Sequence, residues 1–332
     1  MRPMGVTVQT GELAIEEILA YARLAEELGY DGFLPTEESG KDAFSVLALA
    51  AQATRRIRLG TAIISVYTRT PTLMAMEAAA LDRYSGGRAV VGLGTGGPGF
   101  IPLGHGIPIV RPLTRVRETV AIVRGLLGGG RFSFQGELFQ VRAFQLRERP
   151  IRAEVPVWIA ALNPKMTALG GEVADGVIYN LLPIAYVAQA RAQIAEGAGR
   201  AGRDPGRVTL ASLAVTCVEP GDPEAVDAAR KTVAFYAAAP TYHHMLEAAG
   251  FGPLAKEIGA AWHARQQQRA VDLVSRELLE SVSLTGDRGR VRQQLQAYLD
   301  LGVYPIIYPA ARPGRVAEDM ARAIRLIANL AS

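Results

Sequence analysis

The chain has 332 residues, of which 49% are apolar and 20% charged, with a formal net charge of +4, and this composition is typical of a globular protein. The single cysteine, Cys217, excludes an internal disulfide or cysteine metal cluster, and the scattered arginines form no basic arm for nucleic acid. No apolar run reaches the roughly 20 residues of a membrane helix and no signal peptide is visible, so we expect a cytoplasmic protein that binds neither nucleic acid nor membrane.

Strand-like and helical segments alternate along the chain. The first strand precedes a helix predicted over 12–28, which Gly29 ends. Helices are also predicted at 43–54 and 72–85, with a closing helix at about 314–330. The predicted strands are 5–8, 30–35, 56–65, 88–94, 155–162, 174–180, 207–218 and 302–309. They are near-continuous apolar runs, as parallel strands buried on both faces should be.

Eight strand–helix units predict an α/β fold of the (β/α)8 TIM-barrel type, spanning residues 1–332 as a single domain. A doubly wound sheet is the alternative, which is weakened because no GxGxxG follows the first strand. Two insertions enlarge the barrel, at about 95–154 after the fourth strand and at about 222–282 after the seventh. The first contains a predicted helix at about 111–127 and a hairpin of RFSF and ELFQV around Gln135-Gly136; the second is predicted to be helical.

Active-site residues of a barrel follow the carboxyl ends of its strands. The segments found there include TEESGKD, GTGGPGF, ALNPK and PAARPG, which are rich in small residues and poor in acid–base groups. They show no metal-ligand spacing such as HExxH and no GxSxG elbow, so we predict no metal. Such a rim suits a flat cofactor that brings its own chemistry.

Two rim segments allow both a functional and a structural interpretation. Glu37 and Glu38 follow the second strand, where two adjacent carboxylates would raise each other's pKa and favour a proton donor, or where both are simply solvated. The loop GLGTGGPG (92–99) lacks the GK[ST] of a P-loop. Its backbone amides either bind an anion or form a plain turn into the insertion.

Several motifs together resemble the bacterial luciferase-like superfamily, in its coenzyme F420-dependent oxidoreductase branch. YSGGRAVVGLGTG resembles the SGGR…GxG segment of that superfamily, and YTRTP (67–71) the segment after its third strand. The stretches 157–180 and 285–309 resemble the fifth- and sixth-strand region and the C-terminal segment of methylenetetrahydromethanopterin reductase and F420-dependent glucose-6-phosphate dehydrogenase. The likeness covers about residues 12–330 and is specific as a set.

The resemblance implies that coenzyme F420 binds at the carboxyl-terminal mouth of the barrel and exchanges a hydride at its C5 with a small organic substrate. It also implies a non-prolyl cis peptide behind the ring, which alignment on GTAII places between Ala62 and Ile63. The other cofactor-binding residues that it implies are Gly94, Thr95, Gly96 and Gly97 for the phosphate-bearing tail, and Ala160, Ala161, Leu162, Asn163 and Asn180 for the ring or its side chain.

The chain departs from the family after the second strand, where Asp-His or Asp-Asn is common and Glu37-Glu38 stands here. The absent histidine, which transfers the proton in the sugar-phosphate dehydrogenase, argues against that substrate. Glu38 is the first candidate proton donor and Glu37 the second, although either could only hydrogen-bond the ring. An FMN-dependent monooxygenase is the alternative function and a non-catalytic flavin- or deazaflavin-binding protein the third; the resemblance also implies a homodimer.

Overall fold

The computed structural model describes residues 2–97, 99–152 and 154–331. The strands are β1 (Arg2–Val6), β2 (Tyr30–Phe33), β3 (Arg58–Gly60), β4 (Ile64–Ser65), β5 (Ala89–Gly94), β6 (Phe132–Gln135), β7 (Gln140–Phe144), β8 (Val157–Ala160), β9 (Gly176–Asn180), β10 (Thr209–Cys217), β11 (Ser283–Leu284) and β12 (Val303–Ala310). The helices are α1 (Ile15–Glu27), α2 (Ala43–Ala53), α3 (Pro71–Ser85), α4 (Ile101–Gly104), α5 (Pro112–Leu127), α6 (Pro164–Val173), α7 (Val187–Arg200), α8 (Pro223–Ala237), α9 (Pro240–Ala248), α10 (Gly252–His263), α11 (Gln267–Asp272), α12 (Arg276–Val282), α13 (Arg288–Asp300) and α14 (Val316–Leu330).

The predicted barrel is confirmed. Parallel strands pair in the order β12, β1, β2, β3, β5, β8, β9 and β10, and β10 pairs again with β12, so the sheet closes on itself. The short strand β4 continues β3 along β5, and β11 pairs with the end of β10. Every residue of β5 and β12 is buried, which is why these strands read as unbroken apolar runs. Cys217 ends β10 as a buried thiol, as its apolar surroundings predict.

The third predicted strand, 56–65, is wrong as one continuous strand. It breaks between Gly60 and Ile64, where the Thr61 hydroxyl replaces the backbone ladder. This hydroxyl donates to the Gly92 carbonyl at 2.7 Å and accepts from the Gly92 amide at 2.9 Å. The amide of Ala62 turns instead to the carbonyl of Pro35, at 3.1 Å. The break lies at the carboxyl-terminal end of the barrel, where the site is expected.

The hairpin in the first insertion also differs from its prediction, because its second strand is β7, 140–144, rather than 137–141. A buried carboxylate explains the shift. The amides of Glu137, Leu138 and Phe139 all donate to Glu118 of α5, at 2.6 to 3.0 Å, and so cannot pair within the hairpin. The first predicted strand is similarly displaced, from 5–8 to Arg2–Val6.

The second insertion is helical as predicted and forms α8 to α12. A buried arginine fixes its first helix to the barrel. Arg312, after β12, donates to Asp319 at 2.6 Å and to Asp222 at 2.9 Å, and Asp222 caps the amino terminus of α8. Within the described residues, no helix has both the length and the apolarity to cross a bilayer.

Candidate active site

The carboxyl-terminal ends of the barrel strands bring several predicted site residues together. Ile63, Gly94 and Ala160 are neighbours, because a Cβ atom added to Gly94 would lie 2.8 Å from Ile63 Cδ1 and 3.0 Å from Ala160 Cβ. The peptide bond between Ala62 and Ile63 is cis, at the position expected from the resemblance. These residues form a floor of backbone and small side chains.

The small residues of β5 are required by close backbone approach. A Cβ atom at Gly92 would lie 1.9 Å from the carbonyl oxygen of Thr61, a distance at which real atoms cannot coexist. Gly92 therefore lets the broken third strand sit directly against β5, and Gly94 makes the same room for Ile63. The end of β5 and the broken third strand, where the small residues lie, therefore pack directly against each other.

The loop after β5 is a compact turn at Thr95 and Gly96. Gly96 has φ +72°, and an added Cβ atom would lie 2.7 Å from Ile101 Cγ1, so glycine is required there for backbone reasons. The Thr95 carbonyl accepts from Ser65 Oγ at 3.2 Å. Within the described residues nothing lies within 4 Å of a Cβ atom built on Gly97, so this part of the loop has room for a ligand. Pro98 lies outside the described residues.

A cation that the sequence interpretation missed lies behind this loop. The guanidinium of Arg115, in α5, stands 4.6 Å from the ring centroid of Tyr67, whose amide donates to Ser65 Oγ at 3.2 Å. Within the part of the chain that the structure describes, Arg115 makes no ion pair and its buried Nε has no hydrogen-bond partner. Arg115 also lies 5.0 Å from the ring centroid of Phe139, and it is linked to the loop only through Tyr67 and Ser65, whose Oγ bonds to the Thr95 carbonyl. A half-buried cation without a counter-ion suits an anionic group of a ligand.

Glu37 is held in a structural role. Its carboxylate accepts from Arg69 Nη1 at 2.5 Å and Nη2 at 2.8 Å, and from the Ala43 amide at the start of α2 at 2.9 Å. It thereby ties α2 to the segment before α3. With its acceptor atoms occupied, Glu37 is the weaker of the two predicted proton donors.

Glu38 faces the mouth instead. Its side chain is exposed to solvent, and desolvation on the side that faces the protein raises the pKa of the carboxyl group. The cause of this shift differs from the expected repulsion between the two neighbouring carboxylates. Desolvation raises the pKa of Glu38, and Glu37 is paired with Arg69. A carboxyl that keeps its proton to higher pH is suited to proton transfer.

Three tyrosines that the sequence interpretation did not single out stand beside Glu38. Burial raises the pKa of Tyr308 in β12 and of Tyr236 in α8, and the negative charge of Glu38 raises both further. The hydroxyls of these two tyrosines are 3.4 Å apart, and Gln9 Nε2 donates to Tyr308 Oη at 2.7 Å. The third, Tyr242 of α9, accepts from Asn180 Nδ2 at 3.0 Å.

Asn180 lies in the mouth as predicted, at the end of β9. Its Oδ1 is buried, and no donor among the described residues bonds to it. A buried acceptor of this kind costs free energy unless a ligand or water pairs with it. Asn180 therefore offers an unpaired hydrogen-bond acceptor at the mouth.

The remaining predicted residues have evident structural roles. Asn163 caps α6, because its Oδ1 accepts from the Met166 amide at 3.0 Å. Ala161 is buried and its amide donates to the carbonyl of Ile178, while Leu162 packs on the core. In the described residues, no group of three histidine, cysteine, aspartate or glutamate side chains is arranged to hold a metal ion. His243, in α9, bonds instead to the Ala237 carbonyl at 3.1 Å.

Comparison with known proteins agrees with the fold. 5,10-Methylenetetrahydromethanopterin reductase of Methanolobus tindarius is 33% identical over 315 residues, which cover 94% of each chain. A putative coenzyme F420-dependent oxidoreductase of Mycobacterium tuberculosis is 29% identical over 318 residues, covering 89% of this chain and 90% of that one. The solved coenzyme F420-dependent tetrahydromethanopterin reductase from Methanopyrus kandleri superposes with a TM-score of 0.86 at 26% identity, over 98% of this chain and 96% of the other.

The family model described as luciferase-like monooxygenase matches residues 3–304. This match extends from β1 into β12 and includes both insertions. The resemblance drawn from the motifs is thereby confirmed. The chain belongs to the luciferase-like monooxygenase family.

Proposed function

We propose that the protein is a coenzyme F420-dependent oxidoreductase that transfers a hydride between the deazaflavin and a small organic substrate. Names of two similar proteins include coenzyme F420. The observation that carries the proposal is the carboxyl of Glu38, with its raised pKa, at the barrel mouth that also contains the floor of Ile63, Gly94 and Ala160.

The residues present fit this cofactor. Ala62, Ile63, Gly94 and Ala160 would lie under the flat ring, and the unpaired Oδ1 of Asn180 would accept an N–H of its pyrimidine part. Ala161, Leu162 and Asn163 follow the floor and would border the ring. Thr95, Gly96 and Gly97, with Arg115 behind them, would hold the anionic tail. When bound, the deazaflavin supplies or takes up the hydride at C5.

The protein itself handles the proton. Glu38 keeps its proton to higher pH than an ordinary glutamate and stands at the mouth, so it can donate to a substrate atom that gains negative charge. Glu37, paired with Arg69, holds the loop that presents Glu38. Tyr236 of α8, in contact with Tyr308 of β12, places the second insertion beside this mouth.

Fluorescence titration tests the choice of cofactor. We expect the protein to quench coenzyme F420 with a dissociation constant in or below the low micromolar range and to bind FMN at least about tenfold more weakly, a difference of about 1.4 kcal/mol. Tight FMN binding without F420 binding would instead establish the FMN-dependent monooxygenase. Binding of F420 without turnover of ketones, imines, enones or alcohols would identify a non-catalytic binding protein.

Replacing Arg115 by methionine is expected to weaken F420 binding about tenfold or more, because a charge-assisted contact to an anion contributes roughly 1.5–3 kcal/mol. Methionine keeps the packing against Tyr67, so the melting temperature should change little. Arg117→Met is the matched control, since Arg117 lies on the same helix but pairs with Glu172 at the surface. Equal affinities in both variants would exclude a role for Arg115 in binding.

We also propose that the protein is a homodimer that associates through α2 and α3. Leu49 of α2 and Leu73, Met76 and Tyr84 of α3 are exposed, at 48%, 41%, 48% and 55%. Adjacent exposed apolar side chains on two neighbouring helices are typical of an interface. We expect Met76→Glu to yield a monomer by light scattering, whereas Leu103→Glu, on an equally apolar but remote exposed residue, leaves the dimer intact. A wild-type monomer would refute the proposal.

A further inference from the structure

Three phenol groups converge at the mouth from three different elements. Tyr308 belongs to the barrel strand β12, and Tyr236 and Tyr242 belong to helices α8 and α9 of the second insertion. The ring of Tyr236 lies between the other two, with centroids 6.3 Å from Tyr308 and 5.7 Å from Tyr242. The cluster thus joins the barrel to the insertion beside Glu38.

The hydrogen bonds of the cluster leave phenol protons available. Gln9 donates to the oxygen of Tyr308 at 2.7 Å, and Asn180 donates to the oxygen of Tyr242 at 3.0 Å. The oxygens of Tyr308 and Tyr242 therefore each receive an N–H from an amide, and neither hydroxyl uses its own proton for that bond. One proton is shared between Tyr308 and Tyr236, at 3.4 Å. Within the described residues, the second proton of this pair and that of Tyr242 have no acceptor.

The phenols are neutral donors at physiological pH. Burial raises the pKa of Tyr236, Tyr242 and Tyr308 above the ordinary value for tyrosine, so all three keep their protons. The two unengaged O–H groups can then donate to a hydrogen-bond acceptor of a bound molecule. A neutral carbonyl oxygen or imine nitrogen matches such donors.

The cations of the rim are already engaged, which argues against an anionic substrate at this position. Arg69 pairs with Glu37, and Arg312 pairs with Asp319 and Asp222. The ammonium of Lys41 donates to the carbonyls of Thr10 and Leu13, at 2.9 and 2.6 Å. A phosphate or carboxylate placed here would therefore find no free cation among these three residues.

An apolar wall adjoins the phenols. Phe235 contacts Tyr236 edge to face, with ring centroids 5.1 Å apart, and also contacts Trp262 at 5.7 Å. Phe235 is 54% exposed, so protein leaves about half of its ring uncovered. An uncharged, partly apolar molecule would bury this surface while its polar atom meets the hydroxyls.

We propose that Tyr236, Tyr308 and Tyr242 form an acceptor-binding site for the carbonyl or imine group of an uncharged substrate, beside the apolar wall of Phe235 and Trp262. That this carbonyl or imine group is the one reduced or formed in the reaction rests on the proposed function. That it binds at the three tyrosines does not. Carbonyl and imine compounds are bound here, whereas sugar phosphates and carboxylic acids are excluded.

Ligand-observed NMR titration tests this site with acetone and cyclohexanone as probes, with and without oxidised F420. We expect the wild-type protein to bind cyclohexanone, and Tyr236→Phe and Tyr242→Phe each to raise its dissociation constant roughly fivefold, the effect of one lost hydrogen bond. Inorganic phosphate should not displace the ketone. Tyr84→Phe, the same change on α3, is the matched control: it keeps the apolar ring of the proposed dimer face and should bind as the wild type does.

The site would be refuted if neither ketone bound the wild-type protein, if both phenylalanine variants bound as well as the Tyr84 variant, or if phosphate displaced the ketone. Retained circular dichroism and melting temperature establish that each variant is folded. The outcome for the cofactor is separate. Ketone binding with no F420 binding would overturn the proposed oxidoreductase and leave the acceptor site intact. F420 binding with no ketone binding would refute the acceptor site and leave the proposed oxidoreductase intact.

Discussion

Glu38→Gln is expected to lower F420-linked turnover about 100-fold or more, the usual contribution of a positioned general acid, while the affinity for F420 stays within about twofold. Glutamine keeps the size and hydrogen-bonding shape of the side chain but carries no transferable proton. Absorbance of oxidised F420 measures the rate with any ketone or imine that the enzyme accepts, and fluorescence quenching measures the affinity.

Glu37→Gln is the matched control, because it makes the same chemical change one residue earlier. Its carboxylate is committed to Arg69 and to the amide of Ala43, so we expect a lower melting temperature and a rate reduced far less than in Glu38→Gln. The reverse order, with turnover abolished in a folded Glu37 variant and retained in the Glu38 variant, would assign proton transfer to Glu37.

The pH dependence of turnover provides an additional check on Glu38. Its pKa is raised in the folded protein, so the acid form persists above the ordinary glutamate range. If Glu38 donates the proton, the rate of substrate reduction falls as the pH rises through this raised pKa. In Glu38→Gln that limb of the pH–rate profile should disappear, whereas an unchanged profile would show that another group donates.

Gly92→Ala is expected to destabilise the protein by about 3 kcal/mol or more, because the new methyl group would overlap the Thr61 carbonyl, which lies 1.9 Å from its ideal position. The backbone on both sides is held in the barrel and cannot move away cheaply. Urea unfolding measures the change. The displacement of Thr61 should also move Ala62 and Ile63, so F420 binding should weaken in whatever fraction stays folded.

Gly97→Ala is the control for the Gly92 variant. A methyl group there meets open space, so the free energy of unfolding should change by no more than about 0.5 kcal/mol. If the tail of the cofactor uses this space, F420 affinity falls while stability does not. A stable Gly92→Ala protein would contradict the close packing of β5 against the broken third strand.

The barrel could be predicted because one local pattern, an apolar strand followed by a helix, repeats along the chain. Runs such as those of β5 and β12 are buried at every position, and a helical segment follows each barrel strand. The position of the cis peptide came from the resemblance rather than from the pattern. Element boundaries were less predictable where one side chain replaces backbone pairing, as Thr61 does at the break in the third strand and Glu118 does at the hairpin.

The site was predictable only in part, since the sequence places residues on the rim without showing what each one contacts. Glu37 and Glu38 are alike in sequence, and only the position of Arg69 separates a paired carboxylate from a free one. Arg115 is one of several arginines in α5, and nothing in the pattern marks it as the one without a carboxylate partner. Tyr308 is 66 residues beyond Tyr242 and 72 beyond Tyr236 in the chain, and aromatic residues at such positions are more often core.

A crystal structure of the protein with coenzyme F420 tests the central claim most directly. The account predicts electron density for the ring over Ile63, Gly94 and Ala160, with the Glu38 carboxyl and the three phenols on its open side and the anionic tail along Thr95 to Gly97 towards Arg115. Density for the cofactor anywhere else, or no cofactor at concentrations that saturate related enzymes, would contradict it.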